Sequence, residues 1–151
     1  MGKVSYSPGV IVLYQGGKVI QIETSLSSVK SPGNISTSSN FLKVLKRYKN
    51  LRGSAYGWTD LNDEAGYVRY YYDDVKTGIA FTLSTQDDQA TSETLLSVLP
   101  GESVVKPDTI VIHLPGHPVI AATGTARVSK EKVAPTLQPS YIYTVIKAKG
   151  L

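Results

Sequence analysis

The chain has 151 residues, and 41% of them are hydrophobic, which is enough to build one core of ordinary size. It contains no cysteine, so disulfides, thiolate metal sites and cysteine nucleophiles are excluded. Sixteen Lys and Arg residues against twelve Asp and Glu residues give a formal net charge of +4, a mild bias toward attraction of anions. We expect one domain over residues 1–151, either complete or part of a longer or repeated chain.

Composition also bears on location. The sequence has no run of about 18 apolar residues, so we expect no membrane span. Charged residues make up only 19% of the chain, and Ser and Thr are abundant, which favours an extracytoplasmic (periplasmic or secreted) protein over a cytoplasmic one.

The first predicted element is a β-hairpin over residues 10–24. Two β-prone runs flank a Gly-Gly pair at 16–17, which suits a two-residue turn with positive φ. Side chains alternate along a strand, so one aliphatic set is expected to face the core. Counting outward from the turn gives its cross-strand pairs: Leu13 with Ile20, and Ile11 with Ile22.

Helical periodicity follows at about residues 39–52. Ser38 or Ser39 is placed to cap the first turn, and Gly53 is placed to end the helix. Apolar residues recur every three or four positions and form one stripe: Phe41, Val44, Leu45, Tyr48 and Leu51. The opposite side carries cations: Lys43, Lys46, Arg47 and Lys49.

The middle of the chain predicts a second strand pair. Residues 53–66 are expected to form a loop that carries Tyr56 and Trp58. Residues 67–72 are aromatic and β-prone, and residues 79–83 alternate strictly, with an Asp-rich turn between the two strands.

Less regular patterns complete the chain. They predict a short helix at 92–99, strands at 108–114 and 119–122, a connector at 127–140 and a final strand at 141–147. The predicted fold class is therefore α+β, with an antiparallel sheet packed against one main amphipathic helix (about 39–52).

The order of elements from Ser39 to Leu114 resembles a known family type. A helix, a Tyr-rich strand, a strand beginning Gly78-Ile79-Ala80-Phe81 and a last β-branched strand follow one another. This order resembles the β-lactamase-inhibitor-protein-like and outer-membrane assembly lipoprotein domains, small modules of the cell envelope. The resemblance implies protein binding without catalysis, and it transfers no particular functional residue.

No catalytic set is evident in the sequence. The acid pairs 73–74 and 87–88 suit turns better than a pair of carboxylates that face one bond. His113 and His117 are the only histidines, and a zinc site needs further ligands. We therefore expect neither enzyme activity, nor a metal, nor a cofactor.

Two surfaces remain as candidate binding sites. The leading hypothesis is a protein- or peptide-binding module that uses an exposed aromatic surface, since Tyr, Trp and Arg dominate interfaces. Its residues are Tyr56, Trp58, Tyr67, Arg69 and Tyr71. The alternative is a basic module that binds nucleic acid or an anionic polymer through the helix. Its residues are Lys43, Lys46, Arg47 and Lys49.

Overall fold

The structure is a computed structural model that describes residues 2–6, 9–59, 66–86, 105–121, 127–131 and 138–150. Within its strands, the side chains of 3–6, 55–59, 66–68, 85–86 and 127–131 lie outside the description. The elements in chain order are β1 (Gly2–Tyr6), β2 (Val10–Gln15), β3 (Lys18–Thr24), α1 (Phe41–Arg47), β4 (Arg52–Thr59), β5 (Gly66–Asp74), β6 (Ile79–Gln86), β7 (Thr109–His113), β8 (Arg127–Glu131) and α2 (Pro139–Lys149).

The described strands form one antiparallel sheet in the order β1-β2-β3-β7-β6-β5-β4-β8. The first three strands follow one another as a meander, and β4 to β7 form a second meander that runs back across the sheet. Pairing of β3 with β7 joins the two, with Ile22 opposite Ile112 and Glu23 opposite Val111. The predicted α+β class with an antiparallel sheet is confirmed.

The β2–β3 hairpin forms as predicted, but its register differs. Leu13 lies opposite Gln21, and Val12 lies opposite Ile22, with a register shift after Leu13. A bulge adds one residue to one strand, so counting outward from the turn fails beyond it. The predicted core face, with Leu13 and Ile11 each paired to an isoleucine, is therefore wrong. Val12 and Leu13 point to opposite faces of the sheet, and both are buried.

One face of the sheet packs against the two helices. Ring contacts join α1 and its end to the sheet: the Phe41 and Tyr72 centroids are 5.0 Å apart, and those of Tyr48 and Phe81 are 5.2 Å apart. Ile142 of α2 is fully buried in the same cluster. We call this side of the sheet the apolar face.

The expectation of one main helix over 39–52 is wrong. Helix α1 ends at Arg47, because Tyr48 adopts an extended conformation with φ −111° and ψ 99°. The predicted stripe is nevertheless buried throughout, including Tyr48 and Leu51 beyond the helix. The chain turns there and carries these two side chains into the core, so burial was predicted correctly while helix length was not.

The longer helix is α2, where a final strand over 141–147 was predicted. Pro139 lies in its first turn, and Gly150 ends it with a φ of 68°. Pro at the start and Gly after the end are the ordinary helix boundaries. The hydroxyl of Tyr143 donates a hydrogen bond to the carbonyl oxygen of Tyr48, which ties α2 to the end of α1.

Three further expectations change. Residues 52–59 form strand β4 rather than a loop, and residues 127–131 form strand β8 within the predicted connector. Residues 119–121 have no regular structure, and the predicted helix at 92–99 lies outside the described residues.

Candidate functional site

The cations predicted on α1 lie on one surface. Lys43, Lys46 and Arg47 are three and four residues apart, so they share one side of the helix. All three are exposed, and so is Lys49 in the turn that follows. We call these four residues the basic surface.

Local contacts fix the direction of α1. The Asn40 side-chain Oδ1 accepts a hydrogen bond of 2.8 Å from the Leu42 N–H and caps the helix. The predicted Ser cap is wrong, since the Ser39 hydroxyl instead accepts from the N–H of Ser36 at 3.0 Å. The Phe41 N–H donates to the carbonyl oxygen of Val105 at 2.9 Å. The cap and the buried stripe together orient the cations toward solvent.

The loop at 31–35 supports two of these cations. Lys43 Nζ donates to the carbonyl oxygen of Asn34 at 3.1 Å. The Arg47 side chain crosses Gly33, where a Cβ would lie only 2.9 Å from Arg47 Nε. The Arg47 guanidinium carbon is 5.9 Å from the Tyr48 ring centre. These contacts hold the two side chains in place without neutralising their charge.

The charged side chains in the chain segment that carries the basic surface are all positive. Residues 24–59 contain six cations and no carboxylate. Among the described residues the ion pairs join Arg69 to Glu23 and His113 to Asp73, so no cation of the basic surface is paired there. Unpaired cations of this density attract anions from a distance.

The structure places one residue of the predicted aromatic surface, Tyr71, in the interior. Tyr70, Tyr71 and Tyr72 are all buried, and Tyr71 has an exposed fraction of 0%. The expectation that Tyr71 belongs to an exposed aromatic surface is therefore wrong. The sheet is covered on both faces here, so strand alternation does not bring Tyr71 into solvent.

Arg69 is also withdrawn from the surface. Its Nη2 lies 2.7 Å from Glu23 Oε2 and 3.3 Å from each of the Thr82 and Thr109 hydroxyls. Its Nη1 donates to the hydroxyl of Tyr71 at 3.1 Å. Burial opposes the charge of Arg69, but the charge and hydrogen bond of Glu23, together with Tyr71 and Asp108, outweigh this effect, so the pKa of Arg69 is raised.

The other three predicted contact residues, Tyr56, Trp58 and Tyr67, occupy the neighbouring strands β4 and β5. The register places Trp58 opposite Tyr67 and Tyr56 opposite Arg69 on strands β4 and β5. The side chains of Tyr56, Trp58 and Tyr67 lie outside the described residues. A partner-binding role for these three residues stays a prediction.

A second buried pair lies on the same side of the sheet as Arg69. His113 Nε2 is 2.6 Å from Asp73 Oδ1, and the other carboxylate oxygen accepts from the Val119 N–H at 2.9 Å. The Gln21 side chain bonds both the N–H and the carbonyl oxygen of Ile120. We call this side, with Gln21, Glu23, Arg69, Asp73 and His113, the polar face.

The two carboxylates of the acid pair at 73–74 make different contacts. Asp73 contacts His113, whereas Asp74 Oδ1 accepts a hydrogen bond from the Thr77 N–H at 3.4 Å. Within the described ranges, no three His, Asp or Glu side chains are grouped to hold a metal ion. Asp87 and Asp88 lie outside the described residues.

Sequence reasoning missed the polar face. If one aliphatic set of the hairpin faces the core, Glu23 and Gln21 fall on the opposite side, yet their exposed fractions are 4% and 2%. The one signal available was their alternation with Ile20 and Ile22, and alternation does not reveal whether the polar side is covered.

Comparison with known proteins identifies no relative, since no family model, curated protein or solved structure matches the chain. The resemblance to envelope binding domains therefore stays a prediction. None of the helices in the described part is long and apolar enough to cross a membrane.

Proposed function

We propose that this protein is a non-enzymatic binding module that holds an anionic polymer, such as a nucleic acid, against the basic surface. The observation that carries this proposal is the exposure of Lys43, Lys46, Arg47 and Lys49 within a 36-residue stretch, 24–59, that lacks carboxylates. No described ion pair occupies these cations, so their charge is available to a ligand.

The physical basis is release of counterions. A polyanion condenses small cations along its length, and each Lys or Arg that contacts a phosphate releases one of them. Neighbouring cations on one helix side lie about 5–6 Å apart at Cβ, so a single extended chain of phosphates can contact several of them together. Binding of this kind is sensitive to salt and tolerant of sequence.

The structure shifts the balance between the two sequence hypotheses. Tyr71 and Arg69 are committed to internal contacts, whereas every cation of the basic surface is exposed. Binding of a protein or peptide through Tyr56, Trp58 and Tyr67 remains the second proposal, supported by the register that pairs Trp58 with Tyr67.

Charge reversal at the centre of the basic surface tests the first proposal. The variant Lys46→Glu/Arg47→Glu should bind labelled DNA or RNA at least about tenfold more weakly at low salt, and the slope of log K against log salt should fall by about two. Fluorescence anisotropy over a salt series measures both quantities. Unlabelled polyphosphate as a competitor distinguishes nucleic acid from other polyanions.

A charge-matched control separates local from overall electrostatics. Lys18 and Lys106 are exposed at other positions, and Lys18→Glu/Lys106→Glu lowers the formal net charge from +4 to zero, as the test variant does. Equal losses in the two variants would reject a localised site. Binding that is unaffected by salt in the unaltered protein would reject the function itself.

A further inference from the structure

A cleft lies at one end of the sheet. It forms where the chain enters β4 and faces the turn between β5 and β6, and its volume is about 640 Å³. Its lining residues are Asn50, Leu51, Arg52, Asp74, Val75, Lys76 and Gly116. Ligand sites for small molecules commonly enclose about 300–1,000 Å³, so the cleft has room for one.

Two cations reach this cleft from different elements. Arg52 begins β4, and Lys76 lies in the turn after β5. Both are exposed, and the ion pairs of the described residues involve neither of them. A guanidinium offers two parallel N–H donors to a tetrahedral oxyanion, and an ammonium adds a compact positive charge.

The backbone on both sides of the cleft is fixed. Arg52 lies opposite Asp73 in the β4–β5 ladder. The N–H of Gly116 donates to the carbonyl oxygen of Val75 at 2.7 Å, and the N–H of Gly78 donates to that of Asp74 at 3.0 Å. At Gly78 a Cβ would lie 2.3 Å from the His113 carbonyl oxygen, so the turn packs tightly on β7. The side chains of Arg52 and Lys76 therefore extend from backbone that is held by strand pairing and turn hydrogen bonds.

The other lining residues determine which kind of ligand the cleft can bind. Val75 is half-buried and offers apolar contact, and the Asn50 amide can donate a hydrogen bond. Asp74 contributes one carboxylate, whose Oδ1 already accepts from the Thr77 N–H. A ligand with an anionic head and an apolar body complements this set, provided that its charge faces Arg52 and Lys76.

We infer that this cleft binds a small organic ester of phosphate or sulfate. The oxyanion lies between Arg52 and Lys76, and the organic group lies against Val75. The inference does not depend on the function proposed for the basic surface, since none of its four residues is among the lining residues of the cleft.

Titration with phenyl phosphate and phenyl sulfate tests the inference. In ¹H–¹⁵N spectra, either ester should shift the amide signals of Leu51, Lys76 and Gly116 in a saturable way, while phenol at equal concentration should not. Arg52→Gln/Lys76→Gln should weaken binding at least about tenfold, because both charge-assisted contacts are removed. Lys46→Glu/Arg47→Glu should bind the ester as well as the unaltered protein.

A further variant acts in the opposite direction. Asp74→Asn keeps an oxygen that accepts from the Thr77 N–H but removes the carboxylate charge, so it should bind phenyl phosphate more tightly. Tighter binding by this variant cannot result from misfolding. Saturable shifts that are unchanged in both cleft variants, or shifts produced equally by phenol, would overturn the inference. A preference between the two esters identifies which oxyanion the cleft accepts.

Discussion

The two faces of the sheet are buried to similar degrees but are stabilised in different ways. On the apolar face, Phe41 and Tyr72 exclude water by ring packing. On the polar face, Arg69 and Glu23 are removed from water and form an ion pair with each other at 2.7 Å. Apolar burial is favourable wherever it occurs, whereas a buried charge is tolerated only with its partner in place.

The stability of the polar face should therefore depend on keeping its charged partners together, whereas that of the apolar face should depend on filling the core volume. Glu23 illustrates the stricter requirement, because its Oε2 bonds Arg69 while its Oε1 is buried and has no hydrogen-bond partner among the described residues. A pair of this kind contributes little net stability over a hydrophobic replacement, yet it strongly disfavours any arrangement that separates the two charges.

The largest effect is expected from breaking that pair on one side. Arg69→Met should lower the free energy of unfolding by about 3–5 kcal/mol, because Glu23 is left charged and buried without its partner. Urea unfolding followed by circular dichroism measures the loss.

Replacing both partners sharpens the comparison. Glu23→Leu/Arg69→Met removes the unpaired charge, and the Thr82 and Thr109 hydroxyls still bond each other at 2.6 Å. The double variant should therefore recover most of the stability that the single variant loses. If the double variant were as unstable as Arg69→Met, the pair would not account for the polar face.

A smaller loss is expected on the apolar face. Leu45→Ala removes a buried side chain from the α1 stripe and should cost about 3 kcal/mol through lost burial and a cavity. Leu45→Met retains most of the volume and should cost less than about 1.5 kcal/mol. Thermal and urea unfolding of the two variants tests whether volume decides stability here.

An adjacent exposed position provides the control. Lys46→Ala on the other side of α1 should change stability by less than about 0.5 kcal/mol. A loss comparable to that of Leu45→Ala would show that helix formation, rather than burial, determines the outcome.

The same contrast explains what the sequence could predict. The α1 stripe and the β5–β6 pair follow local periodicity, so the burial of the stripe and the pairing of the two strands were predicted correctly. The polar face depends on partners 46 and 40 positions apart, Arg69 with Glu23 and Asp73 with His113, and no local pattern reports such distances. The cations of the basic surface were predicted because helix spacing alone places three of them together.

The errors have physical causes of the same kind. A single bulge after Leu13 changed the hairpin register, because the period of a strand is only two residues. The segment 141–147 is rich in Tyr, Ile and Val, which predicts a strand, yet Pro139 and Gly150 bound it as a helix whose Ile142 reaches the core. Tertiary packing outweighed β propensity at that position.

The smallest effect is expected from titration of the polar face. His113 Nε2 lies 2.6 Å from Asp73 Oδ1, and its Nδ1 lies 3.1 Å from the carbonyl oxygen of Leu114. Both partners can accept a hydrogen bond, so the imidazolium, which donates from both nitrogens, satisfies both contacts. Burial disfavours this charge, but the hydrogen bond and charge of Asp73, together with backbone hydrogen bonds at Leu114 and His117, outweigh it, and the pKa of His113 is raised.

The raised pKa of His113 in the folded state determines how stability should change with pH. Folding then favours the protonated form, so this contribution is fully present below the unfolded value of about 6.5 and is lost as pH rises through the folded pKa. The melting temperature should therefore decline across that range in the unaltered protein and in His117→Gln, but less in His113→Gln, which cannot titrate. The decline is modest because a neutral imidazole can still donate to one of its two partners. An identical pH profile in His113→Gln would show that the pair is held by geometry and not by charge, which would make the two faces of the sheet more alike than their chemistry indicates.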